Sequence, residues 1–466
     1  MAQSYFRIRL NLREQAEKLI EQDNYPEAAR LLSKHLDDNL EDPKTLFLLG
    51  YCFMKTEGKG LAMQCFHRAH QIFPGEPAVV HNIGKLYHDL NNDDKADEYF
   101  RRAVKMNPAF HNALEGLGMT HLNRGEFEKA IHYCNRALAE APDSVEARIN
   151  RGMSYLALRR WREGWVDYNA NVGSDKNRVL IKYGDEPRWD GTKGQNVVVF
   201  GEQGIGDEIS FASCLPDLIR DCNVTIECDG RMDKLFRRSF GVETFGSRYK
   251  GDSSWRHERK FDAHIGMGEL PEFYRNKDSD FPGTPYLKPN PVMSLQWKAL
   301  LDSLGTKPKI GLGWTGGILS TGLRKRSVTL DTFAPLFKEI DADWISLQYK
   351  EPDVAEAEAK YGVKIHDWEW GTRVYDYDQT VALISQLDAV VSVCTTAIHA
   401  AGGLGKPTYC LVPVGPLWRY MDGGSDYPWA KSVKLFRQRN KEWPIYPILG
   451  ELRDRFGHKH RESQAA

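Results

Sequence analysis

Small and apolar residues recur along the first third of the chain with a period of 34. Gly50, Gly84, Gly118 and Gly152 mark it; Ala62, Ala96 and Ala130 follow their glycines by twelve positions, Phe66, Phe100 and Cys134 by sixteen, Ala69, Ala103 and Ala137 by nineteen, and Pro74, Pro108 and Pro142 by twenty-four. Each period predicts two helices that cross closely. Gly and Ala allow the approach, the residue at the Phe66 position fills the gap, and proline ends the second helix. A looser copy runs from Asp23 to Pro43, with Tyr25, Ala28 and Leu32 in register. A last copy decays after Gly152, where Gly164 replaces the alanine and Trp161, Trp165 and Tyr168 crowd together, the mark of a cap or a seam.

This is the tetratricopeptide pattern, and it predicts an N-terminal all-α solenoid over residues 1–172. Two roles fit it: a concave face for an extended peptide, or a spacer or dimerisation arm.

Past Gly173 the pattern changes to short apolar runs separated by helical stretches. Asn196 to Leu218, NVVVFGEQGIGDEISFASCLPDL, predicts a buried strand, a turn through Gly201, Gly204 and Gly206, and a helix whose first turn carries Asp207 and Glu208. Further runs at 223–229, 242–246 and 261–270 predict parallel βαβ units; a proline-rich linker, Pro282 to Pro291, precedes a second series at 309–317, 344–348, 389–393 and 407–413. The expected division is therefore 1–172 for the repeats, 173–290 for a first Rossmann-like domain and 291–466 for a second. Two such domains place the carboxyl ends of their strands on a shared cleft, where glycine loops and helix N-termini receive anionic ligands.

Candidate chemistry gathers there. Thr315, Gly316, Arg324, Lys325 and Arg326 follow the first strand of the second series, a glycine turn plus cations suited to phosphate. Thr395, Thr396 and His399 follow the strand 389–393 at the start of a helix. Trp418, Arg419, Tyr420 and Trp429 either line a pocket or pack over a seam.

Composition narrows the setting. The 466 residues carry 63 Lys and Arg against 64 Asp and Glu, a net charge of -1, which argues against a nucleic-acid partner. The first twenty residues lack the apolar core of a signal peptide, and no run approaches a membrane span, so a cytoplasmic protein is expected. Eight scattered cysteines without CxxC pairs read as buried free thiols rather than a metal site.

The pairing of GEQGIGDEISFASCLPDL with SVCTTAIHAAGGLGKP, together with GLGWTGG and the pair Arg326 and Ser327, resembles the family of the bacterial ADP-heptosyltransferases (glycosyltransferase family 9-like), and most closely its tetratricopeptide-fused relatives. The resemblance covers roughly Trp189 to Phe436; Glu163 to Tyr168 and the WDG of Trp189 to Gly191 are similar to the junction in the fused proteins. It implies an α/β GT-B fold and a metal-independent, inverting glycosyltransferase without a resident cofactor. A nucleotide-diphosphate sugar would be the donor, a protein or glycan hydroxyl the acceptor, and the repeat arm would recruit acceptor or partner. By the same resemblance Asp207 is the base for the acceptor hydroxyl. Thr315, Gly316, Arg324, Lys325 and Arg326 fall in the diphosphate region, Gln348 near the base or ribose contact, and Thr395, Thr396 and His399 on the D-T-x-x-x-H motif. The motif's aspartate is here Cys394, and a neutral thiol cannot make a carboxylate's hydrogen bonds to a sugar. Two other readings stand beside it: a repeat-driven interaction scaffold with an inactive GT-B part, and a DNA-modifying sugar transferase of phage type. Domain order is also similar to that of the protein O-linked N-acetylglucosamine transferases.

Overall fold

The computed structural model describes residues 2–37, 41–173, 178, 180–248, 251–317, 323–351, 353–415, 417–440 and 442–457, with the side chains of 2–11, 323 and 324 outside that description. Two compact units divide the chain, Met1–Ser154 and Tyr155–Ala466.

The first unit is a run of helix pairs: Ala2–Glu21 with Tyr25–Leu36, Pro43–Lys55 with Lys59–Ile72, Pro77–Asp89 with Asp93–Met106, and His111–Asn123 with Phe127–Glu140. A Cβ on Gly50 would stand 2.8 Å from the Phe66 ring, one on Gly84 2.9 Å from Phe100, and one on Gly118 2.6 Å from Cys134 Sγ, so each period glycine is where its two helices touch. Pro43 and Pro77 open helices, at positions where a missing N–H costs nothing, and Asp42 caps its helix by accepting from the N–H groups of Lys44 and Thr45. One feature of the turns escapes a glycine search. Asp23, Glu57, Asn91, Gly125 and Arg159 all have φ between 58° and 73°, again 34 apart, and only one of the five is glycine. The left-handed turn is a property of the repeat, imposed by helix packing on residues that adopt it at a cost.

The helix Val145–Ala157 runs across the division at Ser154, and the second unit continues with the helix Trp161–Tyr168 and two parallel sheets. In the first, β1 (Asn196–Phe200), β2 (Asn223–Glu227), β3 (Glu243–Phe245) and β4 (Ala263–Gly266) stand in the order β3-β2-β1-β4. The second has β5 (Lys309–Gly313), β6 (Asp343–Ser346), β7 (Ile365–His366), β8 (Ala389–Val393), β9 (Thr408–Val412) and β10 (Val433–Arg437) in the order β10-β9-β8-β5-β6-β7. That is the order of a doubly wound sheet, with its reversal between β5 and β8. The central strands are buried on both faces, which explains their continuous Val, Ile and Leu runs. Extended chain from Phe281 to Asn290 joins the two sheets, and the N–H groups of Tyr286 and Leu287 both donate to the Gly403 carbonyl at 2.9 Å. Among the described residues no helix is long and apolar enough to cross a membrane.

The aromatic crowding predicted to mark a cap or seam belongs to the second unit. Trp165 meets Trp418 and Trp429 edge-on, its Nε1 donates to the Arg275 carbonyl at 2.7 Å, and Trp161 packs on Phe281. Trp418, Tyr420 and Trp429 are accordingly 5% exposed or less, which makes them packing residues of that seam.

Candidate functional site

The site is built where both sheets reverse direction. After β1 the chain enters Gly201, Glu202, Gln203 and Gly204, and each polar side chain of this turn is tied down. Glu202, 3% exposed, takes a two-point ion pair from the buried Arg178 (Nε to Oε2 2.9 Å, Nη2 to Oε1 2.6 Å) and accepts from the Gly268 N–H at 2.8 Å. Burial pushes the Glu202 carboxyl up from its ordinary value, against the pull of Arg178. Gln203 exchanges hydrogen bonds with the Tyr168 hydroxyl at 3.0–3.1 Å. The turn is thus anchored to the segment that precedes the sheet.

The helix Ile205–Phe211 follows and packs against the helix Thr396–Gly403 from the other sheet. Their contact depends on Gly206, where a Cβ would stand 3.1 Å from Thr396 Oγ1 and 3.4 Å from His399 Cδ2. Asp207 is next. Its carboxylate, 26% exposed, is ion-paired to Arg419, whose side chain is 9% exposed and whose guanidinium lies over the rings of Trp418 and Phe211. Glu208, by contrast, turns inward: it pairs with Arg248, accepts from the Asp229 N–H at 3.1 Å, and burial pushes its carboxyl up to about 7.

On the other sheet, β8 is followed by Cys394 and Thr395, and Thr396 opens the helix. The Thr395 hydroxyl shares a hydrogen bond with Ser392 Oγ at 3.1 Å instead of capping the helix. His399 is 7% exposed, and its Nδ1 lies 3.1 Å from the Tyr427 hydroxyl. Burial pushes the imidazole down to about 3, helped by the nearby Arg419 and Arg326 and opposed by Asp207, so it is neutral at physiological pH. Cys394, 2% exposed, packs with its sulfur 3.9 Å from Cys410 Sγ rather than toward the helix N-terminus. The cysteines are free, and all but the half-buried Cys65 are buried.

The loop after β5 lies beside these residues. Gly316 N–H donates to Ser327 Oγ at 3.2 Å, and Arg326 donates to the Cys394 carbonyl, joining the two loops. Gln348, 3% exposed, stands just past the end of β6 against this loop. With its carboxamide oxygen turned to the loop it accepts from the N–H groups of Trp314 at 2.7 Å and Thr315 at 2.8 Å, so it shapes the loop. Lys325 is exposed, and the Arg324 side chain lies outside the described residues. Among the described residues no cluster of three or more His, Cys, Asp or Glu side chains converges on a metal position.

Sequence reasoning missed Arg178 as an anchor and Arg419 as the partner of Asp207. Arg419 lies 212 positions from Asp207, and a buried arginine among aromatics, which must find a carboxylate, was the available signal.

The chain therefore combines tetratricopeptide repeats with an α/β unit of two parallel sheets. The tetratricopeptide repeat family model matches residues 81–145 and 121–164. Protein FlbA of Caulobacter vibrioides is 28% identical over 390 residues, 78% of this chain and 64% of FlbA; so large a share exceeds residues 1–154 and extends into the second unit, while the chain spans just under two thirds of FlbA's own length. Anaphase-promoting complex subunit 3 of Schizosaccharomyces pombe is 25% identical over 33% of this chain and 23% of its own length. Among solved structures, MamA is 19% identical, covers 33% of this chain and 91% of MamA, and superposes with a TM-score of 0.30.

Proposed function

We propose that the second unit is a GT-B glycosyltransferase that moves a sugar from a nucleotide-diphosphate donor to a hydroxyl of a protein or glycan, and that the repeats recruit the acceptor. One observation carries the reading: a carboxylate that keeps 26% of its surface exposed, Asp207, follows the glycine at which the helix after β1 touches the Thr396 and His399 helix, where loops leave the two parallel sheets at their reversal points. Asp207 takes the acceptor proton, the acceptor oxygen attacks the anomeric carbon, and the bond from that carbon to the phosphate oxygen breaks with its electron pair leaving on the nucleoside diphosphate. The anomeric configuration inverts. Arg326, the N–H groups at the start of Thr396–Gly403 and the Gly316 loop stabilise the departing charge.

The test is a thermal-shift titration with ADP, UDP, GDP and CDP and their sugar conjugates, followed by transfer assays on Asp207→Asn. A selective rise in melting temperature is expected with one nucleotide, since filling a site to about 100 times its dissociation constant adds roughly 2.7 kcal/mol. Asp207→Asn should lower transfer by about 10²-fold or more while keeping nucleotide binding; transfer at the native rate would end the assignment of Asp207. Cys394 favours a second reading, a repeat-based scaffold with a silent α/β unit, because its sulfur is packed against Cys410. No shift with any nucleotide would select it.

A further inference from the structure

Arg419 is the most deeply committed cation of the site, and its bonds are incomplete. It is 7% exposed as a residue. One terminal nitrogen serves Asp207, while Nε is a buried donor without a hydrogen-bond partner. A guanidinium presents its donors as a rigid fork, and a buried donor without an acceptor carries a desolvation cost that an arriving anion removes. The backbone holds the fork in place. Arg437 donates to the carbonyls of Tyr420, Met421, Gly423 and Gly424 at 2.5–2.9 Å, and Met421, two residues past Arg419, is fixed at φ 58°, ψ 168°, a conformation that otherwise belongs to glycine. Local charge agrees: Arg419 and Arg326 both act on His399, with Asp207 as the opposing anion.

We infer that Arg419 recognises a phosphate of the donor through its unpartnered edge while holding Asp207 through the other, so that one guanidinium sets the base in register with the leaving group. This rests on the donor-site reading above. It makes Arg419 a binding and positioning residue for a phosphate-bearing substrate. The competing role is neutralisation, in which Arg419 exists only to compensate the Asp207 charge.

Titration calorimetry with inorganic pyrophosphate and with UDP, ADP, GDP and CDP separates the two on four proteins: native, Asp207→Asn, Arg419→Met, and the double variant. Removing both charges in the double variant leaves no unpaired Asp207 carboxylate beside the aromatic rings, so it remains informative if Arg419→Met alone fails to fold. Under the inference the double variant binds about tenfold or more weakly than native, the loss of a charge-assisted bond, and Asp207→Asn binds at least as tightly as native. Under neutralisation Asp207→Asn rescues Arg419→Met, and native affinity in the double variant overturns the inference while leaving the donor site standing. If the native protein binds neither pyrophosphate nor any of the nucleotides, the donor-site reading falls and this inference with it.

Discussion

Arg178→Met tests what holds the loop before Asp207 in shape. The Arg178 and Glu202 side chains are 1% and 2% exposed, and two hydrogen bonds of 2.6 and 2.9 Å join them. Arg178 also donates to Asn169 Oδ1 at 2.8 Å and to the Tyr168 carbonyl at 3.3 Å. With the guanidinium gone, Glu202 retains only the Gly268 N–H among these contacts and stays buried. Removing one member of a buried pair costs about 3–5 kcal/mol, mostly from the uncompensated charge left behind. Urea unfolding followed by tryptophan emission measures it cleanly, because all 12 tryptophans lie at or beyond Trp161, inside the second unit. The deficit has a pH signature. Burial already raises the Glu202 carboxyl, and loss of Arg178 raises it further. A group with a raised folded-state value favours the folded state at low pH and loses that benefit as pH climbs, so the deficit is largest at neutral pH and shrinks toward pH 4.5. Arg178→Met with Glu202→Gln keeps an acceptor for Gly268 and recovers about 2 kcal/mol or more of the loss. A single variant that loses less than about 1 kcal/mol, or a double variant as unstable as the single one, would refute the reasoning.

Other outcomes follow from the same contacts. His399, neutral in the fold with its value pushed down to about 3, contributes stability that is complete above its ordinary value near 6.5 and is lost as pH falls below it, by up to about 1.4 kcal/mol per unit. His399→Gln should flatten the decline of the urea midpoint between pH 6.5 and 4.5, and an unchanged slope would count against the buried neutral ring. In the repeats, a Cβ at Gly116 would lie 2.7 Å from the Phe100 ring, which Gly84 already flanks at 2.9 Å, so Gly116→Val is expected to cost about 2–3 kcal/mol by helical ellipticity. Native stability there would mean that the ring has room to move.

Much of this architecture was legible because periodic small residues and continuous apolar runs are consequences of packing that leave a trace in every copy. The strands β1, β5, β8 and β9 fell inside predicted runs because a parallel strand buried on both faces has to be apolar throughout. Two strands were missed. β7 is only Ile365 and His366, too short to show a period, and β10, Val433 to Arg437, carries Lys434 at an exposed edge position. Asp207, Thr396 and His399 were singled out from loop position, and the structure brings all three together around Gly206. Spacing cannot say which way the Gln348 carboxamide faces, and the pairings of Arg419 with Asp207 and of Arg178 with Glu202 were passed over because an ion pair between residues distant in sequence leaves no local pattern.

The helix Trp161–Tyr168 has a consequence for how such chains can be assembled and dismantled. Its indoles are wedged among Phe281, Trp418 and Trp429, and its last tyrosine steadies Gln203. A truncation that starts at Gly173, where the repeat pattern runs out, strips the α/β part of its own wall and leaves an apolar gash prone to self-association. The final aromatic helix therefore has to travel with the sheets it covers, whichever repeats precede it.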